Sequence, residues 1–162
     1  MAVVDSSALI PLSWVGRLDL IDAVWDERRT TEAVREEVLT EGKPGTAALK
    51  TFLEDVQIDG TPPRSEAVAE LEGVGVTDAS VVLLADETET VLLANDKALV
   101  EVARTHGVEC WWGTTVLLKC TKDGIVSPEE AKTVLYDLVD EGMNRHPKVY
   151  TQVQKKLDEL GA

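Results

Sequence analysis

The chain has 162 residues, 44% of them hydrophobic, and carries a formal net charge of −14. That length and apolar content suit one well-buried core, since two cores would each be small. Such acidity repels polyanions and argues against a simple nucleic-acid-binding module. It fits either a salty cytoplasm or a surface made for a basic partner, and composition does not separate the two.

No stretch reaches the roughly 18 uncharged apolar residues of a membrane span, and the first ten residues lack a secretory signal. A cytoplasmic protein with no membrane association is therefore expected. Cys110 and Cys120 form no CxxC pair, and two thiols make no disulfide framework.

The chain opens with Ala2-Val3-Val4-Asp5, an apolar run ending abruptly in a carboxylate and followed by Ser6 and Ser7. This reads as a short buried strand running into a helix. Helical patterns follow over Arg17–Trp25 and Thr31–Thr40, then, after a Gly42-Lys43-Pro44-Gly45 break, over Thr46–Leu53. Val56–Asp59 is a second strand, and Gly60–Arg64 is a loop. Asp78–Asp86 is apolar nearly all round, as suits a central buried helix. Thr90–Ala94 is a strand, Asp96–His106 a helix with Leu99, Val102 and Ala103 on one face, and Val108–Trp112 another strand. A short helix over Thr115–Thr121 ends near Gly124.

Residues 127–162 hold two amphipathic helices. One places Ala131, Val134, Leu135, Leu138 and Val139 on a single face behind a Ser127 cap and Pro128; the other presents Val149, Val153, Leu157 and Leu160. These faces cover either the domain's own sheet or a second subunit. The β/α alternation predicts a single α/β domain over residues 1–162, with a parallel sheet covered on both faces.

In open parallel sheets, ligands bind beyond the carboxyl ends of the strands, where the strand order reverses. Asp5 ends the first strand, Asp96 follows Val91-Leu92-Leu93-Ala94-Asn95, and Asp78 opens the buried helix. Each alone serves as a helix cap. Together they would repel by about 3 kcal/mol per pair at an effective dielectric near 20, which a bound cation or protonation relieves. Glu37 lies within about 60° of Val34 around its helix and can look inward, whereas Glu36 points away. Carboxylates and hydroxyls without an inward Cys or His pair suit Mg²⁺ or Mn²⁺ rather than zinc. His106 and His146 fit no ligand spacing. Lys97 and Arg104 are candidates for gripping a phosphate backbone. Of Trp111 and Trp112, which face opposite ways on a strand, at most one can stack on a base.

The order Val4-Asp5-Ser6-Ser7-Ala8-Leu9-Ile10, Ala33-Val34-Arg35-Glu36-Glu37-Val38, Asp78-Ala79-Ser80 and Leu93-Ala94-Asn95-Asp96-Lys97 resembles the PIN-domain nucleases, among them VapC-type toxins and RNA-processing endonucleases. The tail, from Val108–Trp112 through Gly113-Thr114 to the Lys122-Asp123-Gly124-Ile125 turn, is similar to a microbial PIN subgroup with two added C-terminal helices. The resemblance implies a three-layer α/β/α fold with about five parallel strands. It also implies a catalytic metal site of Asp5, Glu37, Asp78 and Asp96, supported by Ser7 and Asn95, that hydrolyses RNA with Mg²⁺ or Mn²⁺. A homodimer and, for a toxin, an antitoxin partner would follow. Ala94 and Ala98 stand where many relatives have a hydroxyl residue and a further Asp. A PIN-like binding or regulatory protein with a weakened site is therefore the alternative.

Overall fold

The computed structural model describes residues 1–40, 45–140 and 147–161. The Gly42-Lys43-Pro44 part of the break and His146 lie outside the described residues. Five strands, β1 (Ala2–Val4), β2 (Arg28–Thr31), β3 (Gln57–Asp59), β4 (Val91–Leu93) and β5 (Cys110–Trp111), form one sheet in the order β3-β2-β1-β4-β5. Every pairing is parallel, with Ala2 opposite Arg28 on one side and Val91 on the other. Helices flank the sheet, giving the α/β/α arrangement. Strand order therefore reverses between β1 and β4, and the crevice at their carboxyl ends is where such folds bind ligands.

The central strand is short and fully buried. Ala2, Val3 and Val4 have no exposed surface, the pattern of a parallel strand covered on both faces. Helix α1 (Ser6–Trp14) follows at once, and α2 (Asp19–Val24) leads to β2. Strand β2 was absent from the predicted elements, for Arg28-Arg29-Thr30-Thr31 holds no apolar residue. Its two threonines are nonetheless fully buried, and the Thr30 hydroxyl donates to the Val4 carbonyl at 2.7 Å.

Helix α3 (Glu32–Val38) is capped by Thr31, whose hydroxyl accepts from the Val34 N–H. After α4 (Thr46–Leu53) and β3 comes α5 (Ser65–Glu72), which the sequence reading passed over. It buries only Ser65, Val68 and Ala69, too few positions for a periodic signal, and it ends on Gly73 at φ 72°, a left-handed conformation that glycine adopts without strain.

Helix α6 (Val76–Glu87) begins two residues before Asp78. It packs against β1, β2 and β4, with Ala79 through Ala85 all buried, as its all-round apolar sequence predicts. Helix α7 (Lys97–Thr105) follows β4, and α8 (Gly113–Lys122) starts two residues ahead of the predicted Thr115. The tail helices α9 (Pro128–Asp140) and α10 (Pro147–Gly161) pack on each other and on α8, and α9 also meets α1. Leu135, Leu138 and Leu157 enter the same apolar core as Val3, Val4 and Leu92, so most of these faces is covered within the chain, while Val149 at the start of α10 stays exposed. Cys110 and Cys120 are free thiols. No helix among the described residues is long and apolar enough to cross a membrane.

Candidate metal centre at the carboxyl edge of the sheet

Asp5 leaves the end of β1 as the cap of α1. Its Oδ2 accepts two hydrogen bonds from Ser7, from the backbone N–H at 3.0 Å and from the hydroxyl at 2.6 Å. Its Oδ1 is buried and has no hydrogen-bond partner. Half of the carboxylate is thus fixed by the protein while the other half is left unsatisfied, in a residue only 1% exposed. An orphaned buried carboxylate oxygen is costly, and a ligand cation is a standard reason to keep one.

Ser7 also ties the two central strands together. While its hydroxyl donates to Asp5, its oxygen accepts the Asn95 N–H at 2.9 Å. The Asn95 Oδ1 in turn accepts the Gly113 N–H at 2.8 Å, at the start of α8. A methyl group on Gly113 would meet the Asn95 amide at 3.0 Å, so this approach favours glycine. The chain of bonds runs from β1 through β4 to α8 and holds the edge of the crevice. Asp96, next to Asn95, caps α7 by accepting the Leu99 N–H at 3.2 Å. Ser7 and Asn95 are therefore positioning groups as well as candidate neighbours of an ion.

The remaining acids are carried by α6 and α3. Asp78 sits in the first turn of α6 without a capping role, in contrast to the expectation that it opens the helix. Glu37 is exposed at the surface of α3 rather than tucked along the core edge, yet its Oε2 accepts the Ser6 hydroxyl at 3.2 Å. Glu36 is exposed, as expected. A buried hydroxyl pair couples these helices: Thr31 Oγ1 and Ser80 Oγ lie 2.9 Å apart. The Ser80 proton is committed to the Thr77 carbonyl at 2.6 Å, so Thr31 donates to Ser80 and accepts from Val34. Sequence reasoning missed Ser6, Thr30, Thr31 and Ser80, because single hydroxyls in helices and strands carry no spacing pattern. The one available signal was Thr31 at the predicted start of a helix.

The electrostatics join the acids into one cluster. Burial pushes the Asp5 carboxyl from 3.8 up to about 6; the two Ser7 hydrogen bonds oppose this, and the charges of Asp78 and Glu37 add to it. Burial likewise raises Asp78, followed by repulsion from Asp96 and Glu37. No group of three or more Asp, Glu, His or Cys side chains among the described residues closes into an ion cage. Mutual repulsion between carboxylates that lack a neutralising charge favours such an open arrangement. The donors themselves are oxygen atoms of carboxylates and hydroxyls with one oxygen orphaned, and these fit a hard divalent cation. Of the predicted acids, Asp5 and Glu37 come within electrostatic reach of Asp78 and of each other, and Asp96 reaches the group through Asp78.

Removing the Ser7 hydroxyl would free Asp5 Oδ2 from its strongest orienting bond. Ser7→Ala is expected to weaken Mn²⁺ binding by about 10-fold, the lower end of losses seen when ligand-orienting partners are deleted, as calorimetry can measure. Unchanged affinity would mean that Ser7 serves the strand junction alone.

The fold is thus a doubly wound parallel sheet with acids at its carboxyl edge, near where its strand order reverses. The family model described as a PIN domain matches residues 1–159, and the chain belongs to the PIN-domain family. Among solved structures it is similar to PAE2754 from Pyrobaculum aerophilum, with 24% identity over 67% of this chain and 89% of that one and a TM-score of 0.53. At that identity the likeness shows the fold alone. No curated protein matches the chain. Membership gives the chain a nuclease-type fold, in a family whose nucleases typically use divalent metal ions.

Proposed function

We propose that this protein is a Mg²⁺- or Mn²⁺-dependent endoribonuclease, serving either as a toxin or in RNA processing. The observation that carries the reading is the buried Asp5 carboxylate, fixed through one oxygen and orphaned at the other, inside a mutually repelling set with Glu37, Asp78 and Asp96. Asp5, Asp78, Asp96 and Glu37 would hold the ion, with Ser7 and Asn95 keeping the edge of the site rigid. A hard dication bound there supplies a more acidic water and neutralises charge on the phosphate oxygens. It also offers RNA a local positive field that the net charge of −14 lacks. Glu37, which accepts the Ser6 hydroxyl, would be the carboxylate that orients an attacking water. Lys97 and Arg104 would grip the phosphate backbone. A homodimer, and an antitoxin for a toxin, remain part of this reading, and sedimentation at high salt tests the first.

The test is cleavage of single-stranded RNA by the purified protein with Mg²⁺ or Mn²⁺. Cutting should stop in excess chelator and return when metal is restored; cutting that persists in chelator sinks the proposal. The alternative, a binding or regulatory protein with a weakened site, draws support from Ala98, exposed on α7 where many relatives have a further acid, and from the open spacing of the carboxylates. It predicts metal or RNA binding without turnover.

A further inference from the structure

A cavity of about 740 Å³ adjoins the acidic centre, with Ser7, Asn95 and Asp96 among its lining residues. Its long wall is one face of α7. Lys97, Val100, Glu101 and Arg104 line it at spacings of three, one and three, the stripe that a helix turns to one side. From Lys97 to Arg104 the helix rises about 10 Å, so the wall starts at Asp96 and ends on a guanidinium. Trp112, Thr114 and Val149 complete the lining.

Trp111 and Trp112 are both half-buried and packed against the core. Trp111 meets Trp25 edge-on, with ring centroids 5.1 Å apart and planes at 66°. Trp112, the cap residue of α8, also lines the cavity. An aromatic face, aliphatic side chains and two cations, in a chain of net charge −14, form a polar-ended apolar slot beside a candidate metal centre. The combination matches a nucleotide, with an apolar face for the base and cations for the phosphates. Glu101 repels phosphate but accepts from the amino group of a base.

Resting on the nuclease reading for the identity of the occupant, we propose that this cavity seats one unstacked base of the RNA, with Trp112 as the stacking platform and Arg104 and Lys97 on the flanking phosphates. The seat places that nucleotide next to Asp96 and so sets where the strand is cut. Double-stranded RNA, whose base faces are already stacked, cannot fill it.

The experiment uses the full chain carrying Asp5→Asn, which should hold RNA without cutting it, and follows the anisotropy of a short, labelled, mixed-sequence single-stranded RNA. Adding Trp112→Ala should weaken binding about 10-fold, and Trp112→Phe should restore most of it. The same RNA annealed to its complement should bind more weakly. In an abasic scan, one position alone should cost the Trp112 protein about 10-fold and cost the Trp112→Ala protein nothing further. Should Trp112→Ala fail to fold, the abasic scan on the intact tryptophan still decides. Equal binding of every abasic RNA overturns the base seat, as it would if the cavity received an apolar peptide, and leaves the nuclease reading to stand on Asp5-dependent cleavage. A base-specific loss in a protein whose Asp5 form does not cut RNA would keep the seat and overturn the nuclease.

Discussion

Replacing Asp5 by asparagine is expected to stabilise the metal-free protein at about pH 8 by up to 3 kcal/mol, and to leave it unchanged near pH 3.5. The carboxyl of this buried residue is raised from 3.8 to about 6, chiefly by burial. Between those values the folded state binds more protons than the unfolded state, so stability falls as pH rises through the window and is flat above it. Asparagine is neutral throughout, still caps α1, and can accept both Ser7 hydrogen bonds. Its amide replaces one orphaned atom by another, which keeps the gain below the full value. Denaturant titrations of both proteins across this pH range check the prediction. A wild-type protein whose stability, relative to Asp5→Asn, does not fall as pH rises from 4 to 6 would refute it. Saturating Mg²⁺ or Mn²⁺ should close the gap at high pH by stabilising the wild type.

The same substitution should abolish function. On the nuclease reading, Asp5→Asn and Asp96→Asn should each lower the rate of RNA cleavage by about 100- to 1,000-fold, since each removes a charge aimed at the reaction centre. Asparagine is as good a cap as aspartate, so α1 and α7 should keep their ends and the circular dichroism should not change. The loss would then be one of charge. A Lys50→Ala control on the exposed side of α4 should leave cleavage within error of the wild type. If both asparagine variants cut RNA at the wild-type rate, the acidic cluster is not catalytic. A gain in stability paired with a loss of activity at one residue is the signature of a strained functional group.

Much of this fold is visible in the sequence wherever burial is apolar. Ala2-Val3-Val4, the long apolar run of α6 and the spaced faces of α9 all read as what they are, because hydrophobic pattern and local geometry agree. Asp5 and Asp96 were legible for the same reason, each being a lone carboxylate at the end of such a run. Strand β2 was not. Its burial is achieved by threonines whose hydroxyls are satisfied by Val4 and Ser80, contacts made 26 and 49 residues away that no local window contains. Glu37 sits between the two cases: its helical phase was readable, but its role depends on Ser6, 31 residues earlier, and its exposure departs from the phase argument. Helix α5 escaped because it packs against α6 in a small satellite cluster with few apolar positions.

The sheet places the earliest strand in its middle. β1 must wait for β2 and, across nearly ninety residues, for β4, since Ala2 lies opposite both Arg28 and Val91. During synthesis one of its edges can pair as soon as β2 has emerged, whereas the other stays unpaired until β4 does, and loop closure of that longer span slows the ordering of what it supports. The Ser7–Asn95 bond cannot form before β1 and β4 meet. A chain that has not yet extended past β4 would therefore lack the assembled acidic edge.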